Sequence, residues 1–111
     1  MDLQIELTEK IKQLEISIKE LRNSGTSYAQ AEKDYKVLLR QECLKLRDEG
    51  MAITLIDRIC YGIPSVAELR FKRDVAECVY KANLEAINSI KLQLRLIENQ
   101  ISREFGSNLK D

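Results

Sequence analysis

The sequence contains no histidine and no tryptophan, and it has one proline, four glycines and three cysteines. The missing histidine removes the commonest general base and metal ligand. The scarcity of glycine and proline excludes a collagen-like fibre and a β-sandwich with many tight turns. Because 44% of the residues are hydrophobic, a disordered linker is excluded as well. We therefore expect a folded, non-enzymatic domain with no catalytic residues, no cofactor and no metal site.

An excess of charge of one sign is also missing. Lysine and arginine number 18, as do aspartate and glutamate, so the formal net charge is zero. Residues 1–50 hold nine basic and ten acidic side chains, and residues 51–111 hold nine and eight. Bulk attraction to nucleic acid or to an anionic membrane is therefore not expected, and a nucleic-acid contact would need a local patch.

Long apolar runs and paired cysteine motifs are absent too. The longest uncharged segment, Gly50 to Ile56, is much shorter than the roughly 20 residues of a membrane span. Acidic residues near the N-terminus do not resemble a secretory signal, so we expect a cytoplasmic protein. Cys43, Cys60 and Cys78 form no metal-binding spacing, and we expect reduced cysteines that pack as small apolar residues; a redox role is the alternative.

The patterns that are present predict an all-α fold. The whole chain of 111 residues is long enough for a single helical domain, with helices at about 3–22, 26–49, 52–61 and 65–105. In the first helix, apolar residues follow the 4-3-4-3 spacing of a coiled coil. They are Leu7, Ile11, Leu14, Ile18 and Leu21.

The boundaries of these helices are predicted from turn residues. Asn23-Ser24-Gly25 predicts a turn, so that the first two helices form an antiparallel hairpin, and Gly50 predicts the end of the second. Gly62-Ile63-Pro64 predicts the end of the short third helix, and the Ser65 to Glu68 spacing matches a capping box. The very long fourth helix then predicts an elongated, coiled-coil-like bundle with more than 70% helix.

The fourth helix carries an apolar seam that predicts a homo-oligomer, because the third helix is too short to cover it. Helix 1 covering the seam within one chain is the alternative. The seam residues are Ile87, Ile90, Leu94, Ile97 and Ile101. Asn83 and Arg73 interrupt the heptads. Either the seam drifts past them, or Asn83 fixes register and Arg73 has a buried acidic partner such as Asp57 or Asp48.

The corner between the third and fourth helices concentrates cations and aromatic residues. This combination favours a partner-binding surface, because arginine and aromatic side chains dominate interface energies. The residues are Arg58, Tyr61, Arg70, Phe71, Lys72 and Arg73. In the alternative, Tyr61 and Phe71 belong to the core and the cations pair with nearby acids. The segment is also similar to a helix-turn-helix, although Arg58 stands where that motif needs a small residue.

Several segments resemble small helical proteins encoded by phages and prophages of Gram-positive bacteria. They include Leu46–Gly50, Val66–Glu77 with its ELRFKRD stretch, Glu85–Asn88 and Gln100–Phe105. The resemblance covers about residues 20–106 and implies an early-region protein near recombination and replication functions, inside the bacterial host cell. It implies no catalytic residue.

Three functions remain open. The first is a protein that binds a host or phage protein, such as a replication or recombination component or a defence nuclease. The second is a nucleic-acid-binding accessory protein. The third is a structural coiled-coil spacer.

Overall fold

A computed structural model of the chain describes residues 2–110, with side chains described for residues 2–107. Helix α1 spans Leu3–Asp48, α2 spans Ile53–Ile59, a 3-10 turn spans Cys60–Gly62, and α3 spans Pro64–Lys110. Residues 2–110 contain no β-strand. The prediction of an all-α fold with one very long C-terminal helix is therefore confirmed.

The predicted turn at Asn23-Ser24-Gly25 is wrong, because α1 continues through it without a break. A glycine ends a helix when it takes a positive φ, and Gly50 is the described residue that does so. Gly25 instead faces the ring of Tyr80, where a Cβ would lie 3.5 Å from Cε2. The small residues serve helix packing here, and the predicted hairpin between the first two helices does not form.

The predicted end of α1 at Gly50 is confirmed in detail. Gly50 has a φ of 89°, and its N–H donates to the carbonyl of Arg47 at 3.0 Å. The N–H of Met51 donates to the carbonyl of Leu46 at 3.1 Å. These two bonds form a Schellman motif, which satisfies helix carbonyls that would otherwise lack a partner.

The start of α3 differs from the predicted capping box. The helix begins at Pro64, one residue before Ser65, so Ser65 lies inside the first turn and does not cap it. Proline suits this first position, because its fixed φ is helical and its missing N–H has no partner there in any case. Ile63 precedes it with an extended backbone, as residues before proline prefer.

The chain divides into two compact units, which we call the contiguous unit, Ser24–Tyr80, and the terminal unit, Met1–Asn23 with Lys81–Asp111. In the contiguous unit, α1 and α3 run antiparallel. Tyr28 lies against Tyr80, with ring centroids 5.9 Å apart, and Tyr35 lies against Arg73 further along both helices. The buried apolar residues of this unit are Tyr35, Ile56, Cys60 and Val66.

In the terminal unit, the apolar seam of α3 is covered within the single chain. Ile87, Ile90 and Ile97 are buried, and Leu94 and Ile101 are half-buried. The N-terminal part of α1 supplies the other helix of this unit. The prediction that this seam would be exposed to solvent in a single chain is therefore wrong, because the first helix reaches it. Association of two copies stays a prediction, but it needs another surface.

Candidate functional site

The predicted corner residues fall into two groups. Arg58, Tyr61, Arg70, Phe71 and Lys72 are exposed, whereas Arg73 is half-buried. Tyr61 is 47% exposed and Phe71 is 64% exposed. The alternative in which these two aromatic rings belong to the core is wrong. We call the five exposed residues the corner surface.

The corner surface is partly organised by a cation–π contact. The guanidinium carbon of Arg70, on α3, lies 5.4 Å from the centroid of the Tyr61 ring, in the 3-10 turn. Such contacts stabilise by roughly 0.5–1 kcal/mol at exposed sites. The stacking holds an aromatic ring and a cation side by side at the surface.

The cations of the corner surface are not neutralised by neighbours. Within the described part of the chain, no acidic side chain forms an ion pair with Arg58, Arg70 or Lys72. The expected pairing with nearby acids occurs at Arg73, whose Nη2 lies 2.9 Å from Oδ1 of Asp74. The corner surface therefore presents three cations that form no ion pair with any acidic side chain the structure describes.

Arg73 connects α3 to α1 within the contiguous unit, and we call it a clamp for that reason. Its position does not support the prediction that it binds a partner. Its guanidinium lies over the ring of Tyr35, 4.7 Å from the centroid. Its Nη1 lies 3.4 Å from Oε1 of Glu32. Burial lowers the pKa of Arg73, but Asp74 and Glu32 outweigh burial and raise that pKa above its ordinary value. The acidic partners are thus Asp74 and Glu32, and the suggestion of Asp57 or Asp48 is wrong.

Asn83, the other residue that interrupts the heptads, makes a contact inside the terminal unit. Its Nδ2 donates to the backbone carbonyl of Glu20 at 3.4 Å. The bond joins α3 to α1 of the same chain. If Asn83 fixes a helix register, it is therefore the register of α3 against α1 in the same chain.

Sequence reasoning missed an apolar stripe on the outer side of α3. Phe71, Val75 and Val79 recur every fourth residue, so they lie on one side of the helix. Val75 is 47% exposed and Val79 is 49% exposed. The buried Val66 and the half-buried Tyr80 lie on the opposite side. We call Phe71, Val75 and Val79 the outer stripe. Their i, i+4 spacing in the sequence could have revealed it, but the heptads of the packed face were considered alone.

A groove between α1 and α2 was also missed. We call it the α1–α2 groove; its volume is about 540 Å³, within the usual range for binding pockets. Apolar side chains form its floor, among them Leu39, Cys43, Leu44, Ile53 and Ile56. No pattern in the sequence predicts it, because a groove depends on how the short α2 lies against α1.

The charged residues of the α1–α2 groove are mostly basic. Lys36, Arg40 and Arg47 line it from α1, against the single acidic residue Asp57 from α2. Lys36 pairs with Glu32 at 3.5 Å. Arg40 and Arg47 form no ion pair with any residue that the structure describes.

The cysteines differ in exposure. Cys60 is buried, Cys43 is half-buried and Cys78 is exposed, and all three are free thiols. Burial, the neighbouring Cys60 thiol and Asp57 raise the pKa of Cys43, and Arg40 opposes this only in part. A raised pKa leaves less thiolate, which is the reactive form. The expectation of buried, apolar cysteines is therefore met at Cys60, partly met at Cys43 and wrong at Cys78.

The described residues contain no group of three or more Cys, Asp or Glu side chains placed to hold a metal ion. Nor do they include a helix with the length and apolar character needed to cross a membrane.

Comparison with known proteins identifies no family for this chain. No protein-family model, no curated protein and no solved structure matches the chain.

Proposed function

We propose that this protein is non-enzymatic and acts by binding another protein through the corner surface and the adjoining outer stripe. The observation that carries the proposal is Phe71, 64% exposed between Arg70 and Lys72, two cations without an acidic partner among the described residues. Contiguous apolar residues on a surface mark interaction sites more often than scattered ones do. Arginine and aromatic side chains supply much of the energy of protein interfaces.

The charge of the corner surface indicates the chemistry of the partner. A complementary surface would present an apolar patch fringed by aspartate and glutamate, since complementary potentials speed association and select the partner. The resemblance to phage-encoded proteins supports a partner in the bacterial cytoplasm, such as a replication or recombination component or a host defence nuclease.

The test compares two charge-reversal variants in capture from bacterial lysate. In R70E/K72E, the captured proteins should bind at least about tenfold more weakly, while the melting temperature stays nearly unchanged, because exposed charges contribute only about 0–1 kcal/mol to stability. The matched control is K91E/R95E, which reverses two exposed cations elsewhere on α3. Equal capture by wild type and R70E/K72E would place the interface elsewhere.

The unneutralised cations also favour a second function, binding of nucleic acid. Duplex DNA binding by wild type, falling steeply as salt rises and lost in R70E/K72E, would support this alternative. Binding of a protein that depends on Phe71, by a preparation that does not bind duplex DNA, supports the first proposal. A structural spacer predicts neither result.

A further inference from the structure

The α1–α2 groove lies apart from the corner surface and has its own chemistry. Its floor combines the buried Ile56 with Leu44, which is 49% exposed, and Ile53, which is 59% exposed. A floor of this kind loses water when an apolar side chain enters it, and each buried methylene then contributes about 0.8 kcal/mol. The groove is open to solvent rather than enclosed, so an occupant can extend beyond it.

The cations of the groove follow the axis of α1. From Lys36 to Arg47 the helix advances by eleven residues, or about 16 Å at 1.5 Å per residue. Lys36 is paired with Glu32, whereas Arg40 and Arg47 have no described ion-pair partner. Arg40 and Arg47 lie about two turns of α1 apart, or about 10 Å, so one carboxylate could pair with only one of them.

From this arrangement we infer that the α1–α2 groove binds an acidic amphipathic helix of a partner protein. The apolar face of such a helix would lie on Leu44, Ile53 and Ile56, and its carboxylates would face Arg40 and Arg47. This is the helix-in-groove mode of recognition, in which apolar anchors recur every three or four residues. The inference shares with the proposed function only the premise that the protein binds other proteins.

The direct test uses two synthetic peptides and the full-length protein. The first has leucines every three or four residues flanked by glutamates, and the second has lysines in place of the glutamates. Fluorescence anisotropy should show saturable binding of the acidic peptide and binding at least about tenfold weaker for the basic one, because only its charge is opposed. Amide shifts in NMR spectra should change chiefly at residues 36–57.

Variants connect that binding to the groove. R40E/R47E should weaken binding of the acidic peptide by at least about tenfold. The matched control K19E/K45E reverses two cations of α1 that do not line the groove. Lys45, like Arg47, lies in the last turn of α1. This control should leave binding within about twofold of the wild type. L44S should weaken both peptides. R70E/K72E, at the corner surface, should leave peptide binding unchanged, so that the two proposals fail or succeed separately.

Four results would overturn the inference: no binding of the acidic peptide, equal binding of both peptides, equal loss in R40E/R47E and K19E/K45E, or binding of dodecanoate in place of the peptide. The last would indicate a site for a single-chain lipid. Far-UV circular dichroism of each variant verifies that α1 and α2 remain folded.

Discussion

At the scale of single residues, two glycines that look equivalent in the sequence have opposite roles. Gly25 lies within α1 with ordinary helical geometry, whereas Gly50 has a φ of 89° and ends the same helix. Sequence reasoning assigned a stop to both, and it was correct only for Gly50. The difference is tertiary, since the close approach of Tyr80 to Gly25 cannot be inferred from neighbours in the chain.

Substituting each glycine by alanine should therefore have opposite effects on stability. Gly25→Ala should raise the free energy of unfolding by about 1 kcal/mol, because alanine favours the helix and its methyl group would meet Tyr80 at an ordinary contact distance. Gly50→Ala should lower it by about 1 kcal/mol, because a side chain strains a positive φ. Urea denaturation followed by circular dichroism measures both; effects of the same sign would contradict the structure.

The cysteines give a second prediction at this scale. A thiol reagent at neutral pH should label Cys78 first, because it is exposed, and should label Cys43 and Cys60 slowly. The raised pKa of Cys43 means that its labelling should accelerate only at a more alkaline pH than for an ordinary thiol. Mass spectrometry of partly labelled protein identifies the sites. A fast phase that persists in Cys78→Ser would show that another thiol is accessible.

At the scale of the elements, Arg73 joins α3 to α1 through Tyr35 and Glu32. Arg73→Met should lower the free energy of unfolding by about 1–2 kcal/mol, since it removes both the cation–π contact and the ion pair. Arg73→Lys should recover part of the loss, because it keeps the charge but not the planar group.

The control for Arg73 is the neighbouring residue. Lys72→Met changes an exposed side chain without a described ion pair, and its effect should stay within about 0.5 kcal/mol. Similar losses in the two variants would mean that Arg73 is not a clamp. Denaturation curves at a single protein concentration suffice for the comparison.

The elements themselves were predictable to the extent that local chemistry decides them. Helical spacing, the glycine at the end of α1 and the proline at the corner all act within a few residues of their position. Asn23-Ser24-Gly25 follows the same local rules, but packing on α3 outweighs a glycine cost of only about 1 kcal/mol. The pairing of α1 with α3 was only an alternative prediction, because a hairpin between two shorter helices satisfies the same apolar pattern.

The candidate site was predictable in part for a similar reason. Composition placed cations and aromatic rings at one corner, and five of the six named residues are exposed there. Arg73 turns inward because Glu32 and Tyr35 lie opposite it, and these residues are about forty positions away in the chain. The α1–α2 groove depends wholly on such distant neighbours.

At the scale of the whole molecule, the buried seam contributes to the stability of the single chain and not to association between copies. Ile90→Ala should lower the free energy of unfolding by about 2–4 kcal/mol by leaving a cavity. Because the seam is covered within one chain, the loss should not depend on protein concentration. Melting curves at two concentrations test this. A loss in Ile90→Ala that changes with protein concentration would instead place the seam between copies.

Association of two copies is a separate prediction. The outer stripe, Phe71, Val75 and Val79, is the apolar surface on α3 that we expect to mediate it, so self-association and binding of another protein would compete for Phe71. Sedimentation of the wild type at micromolar concentration should show a species above 12.8 kDa, and Val75→Glu should abolish it. A wild-type protein that sediments only as a monomer would contradict this prediction and leave the stripe for another partner.

The division of the chain into a contiguous and a terminal unit also fixes an order of events during synthesis. Residues 24–80 are consecutive, so their contacts become available once the ribosome has released that stretch. The terminal unit needs residues from 81 onward, so the first turns of α1 wait, with Leu7, Leu14 and Ile18 uncovered, until those residues have been made. The buried residues of α3 in this unit lie roughly 80 residues later, so at about 5–20 residues per second the interval lasts about 4–16 seconds, during which this part of α1 exposes an apolar heptad to chaperones.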